Sequence, residues 1–259
     1  MHRDDYLRAY LRRIGADGPL RPDVDTLRYL HERHLIAIPF ENIDFHLKTP
    51  IDLGADVFPK IVDRGRGGAC AELNSAFEVL LRHIGFDDIH VMAGRAFDRD
   101  TVLPSLAHFV LVVRTPEPYL VDLGFLRGSR FPLRFDVRTP QTDPEGEFQI
   151  CDNPDGTIDL LRNGYPQYRL EKRRLRFSAF PAGWWATSAP DVPASQKLMC
   201  SILTESGRIT MLDQHTLIES DASGVRRTEL TEAWQVLALY KDAFGLPFDE
   251  LPLPTAALS

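Results

Sequence analysis

The hydrophobic period of this chain changes at Gly85, and that change limits what it can fold into. Before it, CAELNSAFEVLLRHI places Leu73, Ala76, Phe77, Leu80, Leu81 and Ile84 on one stripe of a 3.6-residue period, the pattern of a helix with one buried face. Gly85 stands where a helix ends. Beyond it, HVMAGRAF, LAHFVLVV, PYLVDLGF, FQICD, TIDLLRN and YRLEKRRLRF are short, β-rich and separated by Pro, Asp and Gly turns. They predict an antiparallel sheet or barrel over roughly His90 to Phe180. The fold class is therefore α+β.

Other segments fill in around this division. DDYLRAYLRRIG reads as a first helix, and a second is expected to begin near Asp25 as its cap. Ile38 to His46, interrupted by Pro39, is expected to run extended. DLGADVFPKIVDRG offers a short helix that ends in the glycine-rich RGRGG. After the barrel region, FPAGWWATSAPDVPAS reads as a connector, KLMCSILTE and RITMLDQHTLIE as strands, and LTEAWQVLALYKDAFG as a last helix. A chain of 259 residues makes one large domain or two to three small ones.

Composition excludes some functions. A formal net charge of -7 gives no positive field for phosphates, so no nucleic-acid partner is expected. The basic run Leu170 to Phe177 reads as a strand or helix with a solvated face. Three cysteines, Cys70, Cys151 and Cys200, have no metal-ligand spacing, so no metal is expected. The N-terminus lacks an apolar signal core and no run is long enough to span a membrane, so the expected setting is cytoplasmic, with no membrane partner. In a reducing compartment a cysteine is buried packing or reactive chemistry.

Cys70 stands apart from the other two because RGRGG precedes it and a helix follows it. First-turn amides and the helix dipole favour a thiolate there, and the same amides can receive an oxyanion. A nucleophilic cysteine needs a base. Of eight histidines, His31, His34 and His83 lie among charged residues on helices and are expected to be exposed. His108 instead interrupts the apolar run LAHFVLVV. Asp122 sits in the next run, PYLVDLGF, and a hairpin centred near Thr115 would set His108 directly opposite it. A buried carboxylate needs a partner, and an imidazole supplies one. The other reading stays open: a core histidine bonded to a carbonyl, and an aspartate capping the turn before Gly124.

At these residues the chain resembles the arylamine N-acetyltransferases. YLRRIGADGPLRPDVDTLRYLHERHLIAIPFENIDF is similar to that family's opening helices and IPFEN segment. RGRGGACAELN is similar to its RGG-x-C-x-E-x-N motif, with Arg66, Gly67, Gly68, Cys70, Glu72 and Asn74 at matching positions. LAHFVLVV and YLVDLGF resemble the segments bearing its His and Asp. Weaker similarity continues to LALYKDAFGLPFDEL, so the resemblance covers nearly the whole chain.

The resemblance implies a three-part architecture with a cysteine-protease-like core. A helical bundle over residues 1–88 carries the cysteine, an antiparallel β-barrel over 89–190 carries His and Asp, and an α/β lid covers 191–259. It implies a Cys70–His108–Asp122 triad that takes an acetyl group from acetyl-CoA and passes it to a small-molecule amine, with no permanently bound cofactor. Phe40, Phe125 and Leu126 are implied as substrate-binding residues, and Glu41 with Arg66 as a supporting ion pair. The chain departs from the pattern at Ala69, Ala71, Ala107 and Leu126. Small neighbours enlarge the pocket beside Cys70, and Leu126 narrows or redirects the pantetheine approach. The alternative within the family is an amide synthase of secondary metabolism acting on a polyketide bound to an acyl carrier protein or on another longer acyl thioester, so the donor partner is an acyl-CoA or an acyl carrier protein. A Cys–His–Asp hydrolase or transglutaminase-like enzyme, and a non-catalytic binding protein, are the readings from other classes.

Overall fold

The computed structural model describes residues 3–98, 101–102, 108–177, 197–221 and 223–253. Two helices open it, α1 (Arg3–Arg13) and α2 (Val24–Ala37). The cap of α2 is Asp23, two residues ahead of the expected Asp25: its carboxylate accepts the Thr26 amide at 2.9 Å. That satisfies one of the donors every helix start leaves unpaired. Of the stretch expected to be extended, only Phe40–Glu41 is a strand, β1, while Ile43–His46 forms a helical turn, α3. The cause is local, because Glu41 Oε2 accepts the Ile43 amide at 2.9 Å and starts the turn. Nor is the next segment one helix. It is a 3₁₀ turn (Gly54–Val57) followed by a wider turn (Pro59–Asp63), since Pro59 has no N–H to continue a helix across the join.

Helix α4 (Cys70–Ile84) follows the apolar stripe and stops where Gly85 turns left-handed, φ 110°. Its amide closes on the carbonyls of Leu81 and Arg82.

The next strands are β2 (Ile89–Asp98), β3 (Thr101–Val102), β4 (His108–Thr115), β5 (Glu117–Val121), β6 (Leu133–Arg134), β7 (Gln141–Asp143), β8 (Gly146–Asp152), β9 (Ile158–Arg162) and β10 (Tyr165–Leu170). They pair antiparallel in the order β6-β5-β4-β2-β10-β9-β8-β7, with β3 on β2, and curl into a nearly closed barrel. Strand β4 is buried on both faces. Val110 and Val112 point into the barrel with Met92, Phe148 and Leu160, whereas Phe109, Leu111 and Val113 join the core of the helical part. Double burial is why its sequence is continuously apolar instead of alternating. The basic run beyond β10 is not a strand; only Leu175 pairs again, with Val91. Its charges keep the chain in water until one apolar side reaches the sheet.

A second antiparallel sheet has the order β1-β11-β12-β13-β14, from β11 (Met199–Leu203), β12 (Gly207–Leu212), β13 (Thr216–Asp221) and β14 (Gly224–Glu229). Its edge partner β1 comes from the other end of the chain, with Phe40 opposite Ser201 and Glu41 opposite Cys200. Helix α5 (Ala233–Ala238) and the turn Leu239–Ala243 cover it, burying Val236, Tyr240 and Phe244 against Cys200 and Met211. Strand β14 carries no apolar alternation, and all six of its residues are exposed. The whole is an α+β fold. The connector read at 180–195 and Ala107 lie outside the described residues.

Candidate active site

The start of α4 is fixed from below by glycine and by charge. A side chain on Gly67 would overlap the Pro39 carbonyl oxygen, so RGRGG lies flush against the IPFEN segment. The Glu41 amide donates to the Gly68 carbonyl at 3.0 Å. Glu72, in the first turn, accepts the Ala69 amide at 2.9 Å, which is half of a capping box. Its carboxylate is held in turn by Lys60, with Nζ at 2.9 and 3.1 Å from the two oxygens. Lys60 also reaches Asp44 at 2.6 Å and Glu41 at 3.5 Å. Arg66 donates to Glu41 at 2.7 and 3.0 Å and to Asp44 at 3.0 Å. Three carboxylates and two cations are thus sealed beneath the helix start. Burial pushes the Glu72 carboxyl up to about 7, with Lys60 opposing and Glu41 adding to the rise. Burial works against the Lys60 ammonium, but Glu72, Glu41 and Asp44 together hold it charged.

Cys70 is the first residue of α4 and is buried. Gly124 packs on it so closely that a side chain there would overlap the Cys70 Cα and Cβ. His108, the first residue of β4, has Nε2 2.8 Å from Asp122 Oδ2, and Cys70 lies near enough to its ring to favour the charged form. With Nε2 engaged by the carboxylate, Nδ1 is the nitrogen left for the sulfur.

The hairpin register differs from the expected one. Thr115 pairs with Glu117 across Pro116, so the centre is one residue later. Asp122, just past the end of β5, is diagonal to His108 and not directly opposite. Because the two centres differ by one residue, the faces are unchanged, and the diagonal stays within side-chain reach. Asp122 also caps the turn, its Oδ1 accepting the Gly124 amide at 3.0 Å. The two readings left open from the sequence describe the same carboxylate.

Burial opposes the charged form of His108, but Asp122 and Cys70 outweigh it and raise its pKa to about 10. Burial would raise the Asp122 carboxyl, whereas His108 and the Gly124 amide bring it below the usual range. A charged imidazole therefore lies between the carboxylate and the sulfur at neutral pH.

Phe125 and Tyr168 enclose the ring, with centroids 5.1 and 4.8 Å from His108 and 5.0 Å from each other. Tyr168, on β10, is fully buried with its hydroxyl facing Asp122; burial and that carboxylate keep the phenol neutral. Leu126 is half-buried against the helical core, and Phe40 is buried in the core cluster that includes Cys70.

Asn74, one turn beyond Cys70, joins the elements. Its Nδ2 donates to the Phe109 carbonyl at 2.9 Å and its Oδ1 accepts the Leu123 amide at 3.2 Å. The residues beside His108 and Asp122 are thereby tied to the helix that carries the cysteine. Nothing in the sequence marks Tyr168 as part of this site.

His31 and His34, expected to be exposed, are completely buried, whereas His83 is exposed. With Leu27, Leu30 and Leu35 they form one buried stripe of α2 at helical spacing, a signal the neighbouring charges obscured. Among the described residues, no helix is long and apolar enough to cross a membrane, and no cluster of His, Cys, Asp and Glu forms a metal site.

The class defined by this fold is that of the N-acetyltransferases, whose family profile matches residues 23–251. The chain belongs to the arylamine N-acetyltransferase family. It is 30% identical over 259 residues to an arylamine N-acetyltransferase of Mycolicibacterium smegmatis, covering 95% of this chain and 93% of that protein. The structure of the Mycobacterium marinum arylamine N-acetyltransferase in complex with CoA is similar with a TM-score of 0.83 and 27% identity, covering 93% of this chain and 92% of that one. Over 121 residues, 45% of this chain and 46% of the other, it is 35% identical to the proansamycin X synthase of Amycolatopsis mediterranei.

Proposed function

We propose that this acetyltransferase moves an acetyl group from acetyl-CoA to an arylamine or related small amine through a thioester on Cys70. One observation carries the reading: a single buried imidazole, His108, is hydrogen-bonded to Asp122 at 2.8 Å and is close enough to Cys70 to be influenced by it. Cys70 is the nucleophile, His108 the proton carrier and Asp122 its orienter. The sulfur attacks the acetyl carbonyl, and the oxyanion meets first-turn amides of α4, which have no acceptor within the helix. Collapse breaks the bond to CoA, and the imidazolium proton goes to the departing CoA sulfur. Neutral His108 then takes a proton from the amine as nitrogen attacks the acetyl-cysteine. The amide leaves, and the cysteine sulfur is released beside the recharged ring. Exchange of one thioester for another is nearly balanced in energy, and formation of the amide runs downhill. Phe40, Phe125 and Leu126 are the residues we assign to the amine and pantetheine.

Intact-mass measurement after mixing with acetyl-CoA tests the scheme. One acetyl group is expected on the wild-type chain and none on Cys70→Ala. Cys70→Ser should fold and lose turnover, and retained turnover would remove Cys70 from the role. His108→Gln should slow acyl transfer by about 10²–10⁴-fold.

The stretch shared with proansamycin X synthase favours a second reading, in which the donor is a longer acyl thioester. An adduct from such a donor with none from acetyl-CoA would establish it. Release of acid with no amine present would instead mark a hydrolase.

A further inference from the structure

The proposed scheme leaves His31, a buried polar side chain near Asp122, unused. His31, on α2, is completely buried, and both of its ring nitrogens are directed at main-chain atoms of the loop that follows β5. Nδ1 lies 2.9 Å from the Arg130 carbonyl oxygen, and Nε2 lies 3.4 Å from the Asp122 amide nitrogen. A carbonyl only accepts and an amide only donates, so the ring has one permitted state. Nδ1 carries the proton, Nε2 accepts, and the imidazole is neutral. Burial acts in the same direction, against protonation, while the Arg130 carbonyl and the carboxylates of Asp122 and Asp143 oppose it less strongly. His34, one turn along α2, is also buried and held neutral, and hydrogen-bonds the Tyr10 hydroxyl.

We propose that His31 is a positioning residue of the His108–Asp122 pair, fixing the main chain of Asp122 so that its carboxylate meets His108 Nε2. The proposal rests on the reading of Cys70, His108 and Asp122 as the reacting groups. The Asp122 carboxylate already has Oδ1 on the Gly124 amide and Oδ2 on His108. Those bonds orient it only as well as the Asp122 backbone is placed, and β5 ends at Val121. The bond from the Asp122 amide to His31 takes over where the strand ladder stops.

Arg130 shows that this clasp is built. Its carbonyl is held by His31, and its guanidinium donates to Glu32, the next residue of α2, at 3.1 Å. The same guanidinium donates to the Thr204 carbonyl at 2.7 Å, in the turn between β11 and β12. Two adjacent residues of α2 therefore grip the loop by its backbone and by its side chain. A histidine serving only as core filling would have no need of a defined tautomer toward Asp122.

Two near-isosteric variants separate the two nitrogens. His31→Gln keeps an acceptor close to the Nε2 position, whereas His31→Asn keeps only a group close to Nδ1. In His31→Gln, kcat should stay within about threefold of wild type, and the His108 ring should still titrate near 10 by NMR of labelled histidine. In His31→Asn, kcat should fall about tenfold or more with the amine KM little changed, and the His108 midpoint should drop by about a unit. Equal His108 midpoints in the two folded variants would overturn the proposal. The wild-type chain supplies a measurement that does not depend on how either variant folds. Its His31 nitrogen shifts should show a neutral ring protonated at Nδ1 from pH 6 to 9, and a protonated Nε2 would overturn the assignment. These spectra do not depend on acyl transfer. If Cys70→Ser retained turnover, the scheme through Cys70 would fail while the link from His31 to His108 would still be read.

Discussion

At the scale of single residues, the candidate site depends on two positions that carry no reactive group. Gly124 has no room for a side chain against Cys70, so Gly124→Ala must move either the loop or the start of α4. Acyl transfer should fall by at least about tenfold, since misplacement of reacting groups by an ångström costs up to about 10²-fold. Steady-state kinetics alongside a circular-dichroism melt would separate that loss from unfolding. Asn74→Leu should lose activity as well, and about 1–3 kcal/mol of stability, because the buried Leu123 amide loses its acceptor. A denaturant titration measures the second effect. Cys70, His108 and Asp122 were legible as candidates because each breaks a pattern: a cysteine at a helix start, and polar residues in apolar runs. His31 and Tyr168 were not, because a polar residue that continues a buried stripe or strand breaks nothing.

At the scale of elements, α4 and the hairpin are held in different ways. The helix start rests on the Lys60–Glu72–Glu41–Asp44–Arg66 cluster, and the hairpin on main-chain pairing. Lys60→Met leaves Glu72 buried without its cation, and removing one partner of a buried pair costs about 3–5 kcal/mol. The chemical-denaturation midpoint should drop accordingly, and Lys60→Met combined with Glu72→Gln should recover part of the loss. The change of period at Gly85 was enough to read α4 and the antiparallel strands, because burial on one stripe or on alternate faces is written in consecutive residues. The one-residue difference in hairpin centre was not legible, since it leaves every face as it was and only the turn at Pro116 decides it. Strand β14 escaped for the opposite reason, having no buried face to declare itself.

At the scale of the molecule, charge burial ties stability to pH. His108 binds its proton more tightly in the folded chain, at about 10, than at the ordinary value of 6.5. Its contribution is therefore complete below pH 6.5 and is lost as pH rises through about 10. His31 and His34 have the reverse sign: their values are lowered by burial, so what they contribute is present above 6.5 and lost as pH falls below it. Unfolding free energies of the wild type and of His108→Gln, measured from pH 7 to 10, should converge as pH rises. A constant difference between the two would contradict the raised value.

The pairing of β1 with β11 bears on how such a chain is made. Residue 40 pairs along β11 with residue 201, far along the chain, yet Glu41 and the Gly68 carbonyl beside it belong to the cradle of Cys70. A ribosome-bound chain halted before residue 201 contains the residues of α4 but lacks β11, the strand that pairs with β1. Contacts of such long range form late and slowly. Thiol reactivity at Cys70 should therefore differ between arrested chains and the finished protein, and acquire its final value only after β11 has emerged.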